Sequence, residues 1–250
     1  MADFTGRRIL VTGASTGIGA ETARRLVKAG AVVGIHYNAS KAAAEELAAE
    51  LEPAPGKTIL LQGDLTKPQA CDKVVDDFVD AAGGMDALVN NAGGMIRRCP
   101  MDEYDVALIE ETYRLNVFSV MLVTKRALPH LRQAESPSIV IISSVAARTG
   151  APSATIYATA KGALDTLTRG MARELAPAIR VNAVAPGVIA TPFHEKVSTP
   201  EQMENMRKGI PLERHGVAVE IAPAILHLLS DDASYITGET IDVNGGMFMR

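Results

Sequence analysis

Residues 8–26 of the 250-residue chain read RILVTGASTGIGAETARRL, an apolar run followed by a glycine-rich turn and a helix-like stretch. The aliphatic run predicts a strand over Arg8–Thr12, and the spaced apolar residues beyond the turn predict a helix over Ile18–Ala29. Glycines let a backbone approach a pyrophosphate closely, and a helix that begins there points free N–H groups and its positive dipole end at the phosphate. The stretch therefore predicts the first unit of a dinucleotide-binding sheet.

The glycines of this turn are spaced G-x-x-x-G-x-G, which departs from the G-x-G-x-x-G fingerprint of dinucleotide sites. The prediction therefore depends on the position of the turn between a strand and a helix. The residues expected to line the phosphates are Gly13, Ser15, Thr16, Gly17, Ile18 and Gly19.

Short apolar runs and helix-length stretches continue to alternate along the chain. Further strands are predicted at Val32–His36, Thr58–Leu61, Ala87–Asn90, Ser138–Ser143, Arg180–Ala185 and Glu239–Val243. Further helices are predicted at Lys41–Leu51, Pro68–Ala82, Met101–Tyr113, Val117–Leu131, Ile156–Leu175 and Val217–Ser230. Because no linker, charge block or repeat divides the chain, we expect residues 1–250 to form one α/β domain of the Rossmann type, a doubly wound parallel sheet with helices on both faces.

The segment 191–212 breaks this alternation. It carries three prolines and the apolar anchors Phe193, Met203 and Met206. Ligands of such sheets bind at the carboxyl ends of the strands, and connections this long are usually functional. We therefore expect a substrate lid here, with a pair of ordinary surface helices as the alternative.

Composition excludes several classes of protein. The formal charge of −4, an aromatic content of 4% and the absence of Trp give no expectation of a nucleic-acid partner. Two cysteines, Cys71 and Cys99, are too few for a disulfide framework or a four-cysteine zinc site, and no metal site is expected. The apolar windows are too short for a membrane span, and the N-terminus lacks the pattern of a signal peptide, so a cytoplasmic location is expected.

The end of the second predicted strand indicates the cofactor. A site that prefers NAD carries an Asp or Glu about 20 residues after the glycines, where the carboxylate bonds the ribose 2′-OH. Residues 35–41 contain no carboxylate, so nothing there repels a 2′-phosphate, and Asn38, Ser40 and Lys41 can donate to it. We expect Tyr37 and Asn38 to contact the cofactor, with NADP(H) favoured over NAD(H), although no arginine is present for a bidentate contact.

Tyr157 and Lys161 lie four residues apart in a predicted helix, and Ser143 and Ser144 end the strand before it. That spacing places the phenol and the ammonium on one helix face. A free tyrosine has a pKa of about 10, and a nearby ammonium or an oxidised nicotinamide would lower it toward the range that acid–base catalysis requires. Singly, such residues are usually a surface pair and a turn; their joint order favours a catalytic site.

That order resembles the short-chain dehydrogenase/reductase family over essentially the whole chain. Ser144 precedes Tyr157 by thirteen residues, the spacing of the family's catalytic serine, which selects it over Ser143. The matching motifs are Thr12-Gly13-x-x-x-Gly17-x-Gly19, Asp64-Leu65, Asn90-Asn91-Ala92-Gly93, Asn116, Ser144, Tyr157-x-x-x-Lys161, Pro186-Gly187 with Thr191, and Thr237-Gly238 to Asn244-Gly245-Gly246.

The resemblance implies roles for these positions. Tyr157 would be the acid–base group, and Lys161 would lower the Tyr157 pKa and bond the nicotinamide ribose. Ser144 would orient the carbonyl, and Asn116 would hold a water that relays protons toward Lys161. Asp64 would meet the adenine. The other implied cofactor contacts are Leu65, Asn91, Ala92 and Gly93 on the adenosine side, and Pro186, Gly187, Val188 and Thr191 at the carboxamide.

The resemblance also implies a sheet of seven strands in the order 3-2-1-4-5-6-7 and a homotetramer. The apolar ending Met247-Phe248-Met249 suits burial at an interface, and a frayed tail is the alternative. The nearest groups within the family are 3-oxoacyl-carrier-protein reductases and bacterial sugar dehydrogenases. The stretch 176–179 lacks the basic residue that such carrier-protein reductases often carry.

These observations predict an NADP(H)-dependent oxidoreductase for a small carbonyl or secondary-alcohol substrate, of the oxoacyl or sugar type. Arg97, Arg98 and Arg148 could attract an anionic substrate at the pocket rim, or could be ordinary solvated arginines. A non-catalytic dinucleotide sensor is an alternative function, but such chains often lose the Tyr or Lys that is present here. An epimerase or dehydratase of the related extended family would have a G-x-x-G-x-x-G turn and a longer chain.

Overall fold

The computed structural model describes residues 3–249, which form a twisted parallel sheet with helices on both faces. The strands are β1 Arg8–Val11, β2 Val32–Tyr37, β3 Lys57–Gln62, β4 Ala87–Asn90, β5 Ser138–Ile142, β6 Arg180–Pro186, β7 Ile189–Ala190, β8 Gly216–Val217 and β9 Thr240–Val243. The main sheet has the order β3-β2-β1-β4-β5-β6-β9, and each neighbouring pair is parallel. Since β9 is its seventh strand along the chain, the predicted doubly wound sheet and its strand order are confirmed.

The helices follow the predicted alternation. They are α1 Gly17–Lys28, α2 Lys41–Leu51, α3 Pro68–Ala82, α4 Val106–Tyr113, α5 Ser119–Leu131, α6 Ala146–Thr149, α7 Thr155–Leu175, α8 Pro192–Val197, α9 Pro200–Lys208 and α10 Ala218–Leu229. Among the helices of residues 3–249, none is both long enough and apolar enough to cross a bilayer.

Two predicted helices differ from the structure. The stretch 101–113 is a short 3₁₀ turn at Met101–Glu103 followed by α4, because the Asp105 carboxylate accepts a hydrogen bond from the Leu108 N–H at 2.7 Å and caps a new helix start. The helix predicted from Val117 begins in regular form at Ser119, after a π-helical turn at Arg114–Phe118.

The core is divided into two layers by the alternation of side chains along the strands. In β1, Ile9 and Val11 point to the layer that contains Leu26 of α1, while Leu10 points to the opposite layer with Phe78 of α3. Successive residues of a strand face opposite sides of a sheet, so a strand covered on both sides must be apolar throughout. This double covering explains why β1 and β5 are continuous apolar runs in the sequence.

The strand order reverses between β1 and β4, which opens a crevice at the carboxyl ends of these strands. Beyond β6, the two short strands β7 and β8 pair in parallel, with Ile189 opposite Gly216 and Ala190 opposite Val217. This unpredicted pair joins the two ends of the segment 191–215, which contains α8 and α9. The β7–β8 pair therefore fixes that segment beside the crevice.

Candidate active site

A cleft of about 580 Å³ occupies the crevice. The predicted site residues that line it are Gly13, Ser15, Thr16, Gly17, Ile18, Tyr37, Asn38, Asp64, Leu65, Asn91, Ala92, Gly93, Ser144, Tyr157, Lys161, Pro186, Gly187, Val188 and Thr191. The two remaining predicted residues do not line the cleft: Gly19 packs against Gly13, and Asn116 is hydrogen-bonded to Gly94.

The glycine turn forms a backbone cradle at one end of the cleft. Gly13 has a φ of 62°, and a Cβ there would lie 2.9 Å from the Ala92 Cα. A Cβ on Gly19 would lie 2.3 Å from the Gly13 carbonyl oxygen, so neither position accepts a side chain without movement. Thr16 makes no side-chain cap at the start of α1, which leaves the first N–H groups of the helix available to an anion. This donor set fits the pyrophosphate of a dinucleotide.

Asn91 stabilises the cradle from behind. Its side-chain amide donates to the carbonyls of Thr12 and Gly13, both at 2.9 Å. These two bonds use both amide hydrogens, so this side chain supports the turn rather than donating to an adenosine ribose. Asn91 thus lines the cleft as expected, but its side chain binds the protein backbone.

His36 is a functional residue that the sequence reasoning did not select. The Gly13 N–H donates to the His36 Nδ1 at 2.9 Å, and His36 Nε2 lies 3.0 Å from the Gly63 carbonyl. Because a carbonyl only accepts, Nε2 carries the proton and the ring is neutral. Burial lowers the pKa of His36, consistent with this state. The signal in the sequence was a polar residue at the end of an apolar strand.

The end of the cleft beside β2 and β3, where the adenosine is expected, is weakly charged. Tyr37 is largely buried in the core and only part of it reaches the cleft, whereas Asn38 is exposed. The Asp64 carboxylate accepts from the Thr66 N–H at 3.0 Å and the Thr66 hydroxyl at 2.7 Å. The hydrogen bond from the Thr66 hydroxyl is the main cause of a lowered Asp64 pKa. No carboxylate of the described residues lines the cleft next to Asn38 at the end of β2.

Tyr157, Ser144 and Lys161 meet at the centre of the cleft. The Tyr157 hydroxyl is hydrogen-bonded to the Ser144 side chain, and Lys161 Nζ lies 5.7 Å from the centroid of the Tyr157 ring. Lys161 Nζ also donates to the Ile142 carbonyl at 2.8 Å, which fixes the ammonium at the end of β5. The Ser143 hydroxyl instead donates to the Lys161 carbonyl, so the two serines have different partners.

Burial shifts the pKa values of Tyr157 and Lys161 more than the interaction between these two side chains does. It raises the pKa of Tyr157 to about 12, only partly offset by the hydrogen bond to Ser144. It lowers the pKa of Lys161 to about 8, with partial compensation from the Asp165 carboxylate. Removal from water disfavours both charged forms. In the chain by itself the effect of burial thus dominates, and the expected lowering of the Tyr157 pKa by Lys161 stays a prediction for the cofactor-bound site.

Asn116 lies in the π-helical turn, where its amide is bound to backbone. Its Oδ1 accepts from the Gly94 N–H at 2.9 Å, and its Nδ2 donates to the carbonyls of Gly94 at 2.8 Å and Thr112 at 2.9 Å. A π turn inserts one extra residue in a helix and re-aims the side chains that follow. Because both amide hydrogens are used, the Asn116 side chain supports the loop that carries Gly93 and Gly94 rather than donating to a water.

The segment 191–212 borders the cleft on the side of Tyr157. Phe193, His194 and Met206 from α8 and α9 line it, and the Phe193 ring centroid lies 6.0 Å from that of Tyr157. Met203, the third expected anchor, is absent from the lining, and its carbonyl lies 3.1 Å from His215 Nε2. Met247 also lines the cleft, and the Asn244 side chain donates to the Phe248 carbonyl at 3.0 Å, so the C-terminal segment is held in place up to that point.

The three arginines near the cleft have different environments. Arg97 is exposed and pairs with Asp105, as a surface arginine would. Arg98 is partly buried and lines the cleft. The rim position expected for Arg148 is wrong, because its side chain is only 14% exposed and forms ion pairs with Asp165 and Asp242. Arg148 is thus part of a buried charge cluster rather than a binding surface.

Comparison with known proteins shows which family the chain belongs to. A family model described as enoyl-(acyl carrier protein) reductase matches residues 13–248. Glucose 1-dehydrogenase from Gluconobacter oxydans is 37% identical over 98% of this chain and 92% of its own length. An NADH-dependent reductase, A1-R′, responsible for alginate metabolism has a solved structure with 35% identity, a TM-score of 0.91 and 99% coverage of both chains. A short-chain dehydrogenase from Burkholderia cenocepacia in complex with NADP has 34% identity, a TM-score of 0.90 and 98% coverage of both. The chain belongs to the short-chain dehydrogenase/reductase family.

Proposed function

We propose that the chain is an NADP(H)-dependent oxidoreductase that transfers hydride between the nicotinamide and a carbonyl or secondary-alcohol group, with Tyr157 as the acid–base residue. The observation that carries this proposal is the meeting of Tyr157, Ser144 and Lys161 in the same cleft as the glycine turn. One cleft thus combines a phosphate-binding cradle with a proton-transfer group. A non-catalytic sensor would not need the second of these.

The residues divide the chemistry between them. When bound, the nicotinamide exchanges hydride at its C4 atom and, in its oxidised form, carries a positive charge. In carbonyl reduction, the Ser144 hydroxyl donates to the substrate oxygen and the Tyr157 hydroxyl passes its proton to it. Burial raises the pKa of Tyr157 to about 12 in the chain by itself, so the phenol holds its proton; the positive charges of Lys161 and of a bound oxidised nicotinamide would lower that pKa toward the neutral range that a general acid needs. The two N–H groups of Lys161 that remain after its bond to Ile142 can hold the ribose.

Residues 191–212 form the proposed lid. The side chains of Phe193 and Met206 contribute apolar surface to the substrate end, and the β7–β8 pair holds both ends of the segment. An apolar cover excludes water from a hydride-transfer site and strengthens the hydrogen bonds inside it.

The adenosine end supports the choice of NADP(H). Asn38 is exposed at the end of β2, and the side chain of Lys41 at the start of α2 is 64% exposed with a weak 3.5 Å pair to Glu45. These groups can donate to a 2′-phosphate. Solved relatives are described with NADP in one case and as NADH-dependent in another, so the residues of this chain must decide the preference.

Replacing Asn38 with Asp is expected to shift the preference from NADPH to NADH. A carboxylate here accepts from a ribose 2′-OH and repels a 2′-phosphate. We expect the ratio of kcat/KM for NADPH over NADH to fall by roughly 10- to 100-fold, on the order of 1–3 kcal/mol. The measurement is the initial rate of cofactor oxidation with either cofactor. Asn205→Asp in α9, outside the cleft lining, is the matched control, and an equal fall in that variant would contradict the explanation.

The direct test of the function is an assay of the wild-type protein with NADPH and NADH against aldehydes, ketoses, diketones and acyl thioesters. We expect carbonyl-dependent loss of absorbance at 340 nm with at least one class, faster with NADPH. Tight NADPH binding by fluorescence titration with no carbonyl reduction in any class would instead favour the sensor.

A homotetramer belongs to the same proposal. α4 and α5, with the turn between them, expose the large apolar side chains Val106, Ile109, Phe118 and Met121. Exposed apolar groups collected on one pair of helices are typical of protein–protein contacts. This surface supports helix-to-helix pairing between copies of the chain.

A further inference from the structure

The substrate end of the cleft has an unbalanced positive charge. The charged side chains among the described lining residues are Asp64, Lys161 and Arg98, and the two histidines of the lining, His36 and His194, are neutral. Asp64 follows β3 at the adenosine end, and Lys161 is bound to the end of β5. Arg98 is adjacent to the lid and has no carboxylate near it in the lining.

Arg98 is fixed by uncharged partners. Its Nε donates to the Val197 carbonyl at 2.8 Å, and its Nη2 donates to the Ser198 hydroxyl at 3.1 Å. Within residues 3–249 it forms no ion pair, unlike its neighbour Arg97. Burial lowers the pKa of Arg98, and no acidic group opposes that effect. A guanidinium has five N–H donors, so three remain after these two bonds.

The positive field of Arg98 reaches the lid. It contributes, after burial itself, to lowering the pKa of His194 to about 4. The Ser198 hydroxyl accepts from Arg98 and lies 3.3 Å from His194 Nδ1, so its single hydrogen is directed to the neutral imidazole. Arg98, Ser198 and His194 thus form a connected cluster with a positive potential and no acidic member.

We propose that Arg98 recognises a carboxylate of the substrate, so that the substrate is a carbonyl compound that also carries a carboxylate, such as an oxo acid or the oxidised form of a sugar acid. This inference rests on the proposed oxidoreductase function. The planar guanidinium matches a carboxylate in geometry, and one positive charge balances one carboxylate, whereas a phosphate dianion would leave a charge uncompensated.

The contacts of Arg98 with the lid strengthen this assignment. A long side chain loses entropy when a ligand fixes it. Because Val197 and Ser198 already hold the guanidinium, binding a carboxylate there requires little further ordering. An alternative role for Arg98 is to cap the end of α8, which would account for the hydrogen bond from its guanidinium to the Val197 carbonyl. That role does not explain why the guanidinium also lines the cleft with no carboxylate partner there.

The test compares straight-chain oxo acids of three to six carbons with their methyl esters, using NADPH and the full chain. We expect kcat/KM to favour the acid in at least one pair, through KM, and Arg98→Gln to reduce that preference by about 10- to 100-fold. Arg98→Lys, which keeps the charge but not the planar geometry, should retain part of it. The control is Arg97→Gln, which removes one positive charge at the adjacent, exposed position and should leave the preference for the acid unchanged. Thermal melting checks that every variant is folded.

Several outcomes would overturn the assignment. Esters reduced as well as acids in every pair, or an acid preference that survives in Arg98→Gln, would contradict it while leaving the oxidoreductase function intact. Faster reduction of glyceraldehyde 3-phosphate than of any acid would assign the cluster to phosphate instead. If no carbonyl is reduced, the proposed function fails separately. Calorimetry of the acids with the NADPH-loaded protein then decides: weaker binding by Arg98→Gln supports the site, and equal or absent binding refutes it.

Discussion

Replacing Tyr157 with Phe is expected to lower kcat for carbonyl reduction by roughly 10²–10⁴-fold, the usual contribution of a general acid. The variant removes one hydroxyl and keeps the ring, which lies 6.0 Å from the Phe193 ring and covers the centre of the cleft. Fluorescence titration should therefore find NADPH binding nearly unchanged. Stopped-flow or steady-state oxidation of NADPH with the best carbonyl measures the loss.

Tyr235→Phe is the matched control for this variant. Tyr235 is fully exposed and makes no contribution to the cleft lining, so the same chemical change there should leave kcat unaltered. If Tyr157→Phe kept wild-type turnover, the proton would have to come from another group, and the acid–base assignment would be withdrawn.

Replacing Arg148 with Met is expected to have the largest effect on stability. The guanidinium lies between the carboxylates of Asp165 and Asp242, whose side chains are 5% and 16% exposed. Removing the cation leaves these buried acids without their compensating charge, which typically costs about 3–5 kcal/mol. For a domain of this size, each kcal/mol corresponds to about 2–4 °C, so Tm should fall by roughly 6–20 °C.

Calorimetry or circular dichroism measures this change. Arg97→Met is the control, since its exposed pair with Asp105 should contribute less than about 1 kcal/mol. The double variant Arg148→Met with Asp165→Asn should lose less stability than the sum of the two single changes, because each removes the partner of the other. Additive losses would indicate that the residues do not interact.

The sequence predicted the sheet well where one simple pattern determined the element. The bounds of β4, α2 and α3 match the expected ranges, because each is a clear apolar or amphipathic run that ends at glycine, proline or polar residues. The joint order of the glycine turn, Ser144, Tyr157 and Lys161 also placed the centre of the cleft, since the carboxyl ends of parallel strands meet at one edge.

The remaining features depend on contacts between distant parts of the chain. His36 joins Gly13 and Gly63, and Arg148 reaches Asp165 and Asp242, and neither partnership can be read from local spacing. The π turn around Asn116 cannot be predicted from the hydropathy pattern. One extra residue in a helix changes the direction of the side chains that follow it, but it hardly changes the apolar and polar composition of the segment. The upward shift of the Tyr157 pKa on burial is not predictable from the sequence either, because burial depends on packing between distant parts of the chain.

The short β7–β8 pair has a consequence for how the protein can diversify. Because Ile189 and Ala190 pair with Gly216 and Val217, the two ends of the 25-residue segment from Thr191 to His215 lie next to each other. Loop length has only a weak effect on the entropy of closure, so this excursion can be lengthened, shortened or exchanged at small thermodynamic cost. Exchanging this segment, the proposed lid, for that of a relative is therefore expected to change the substrate preference and to leave the fold of the host intact.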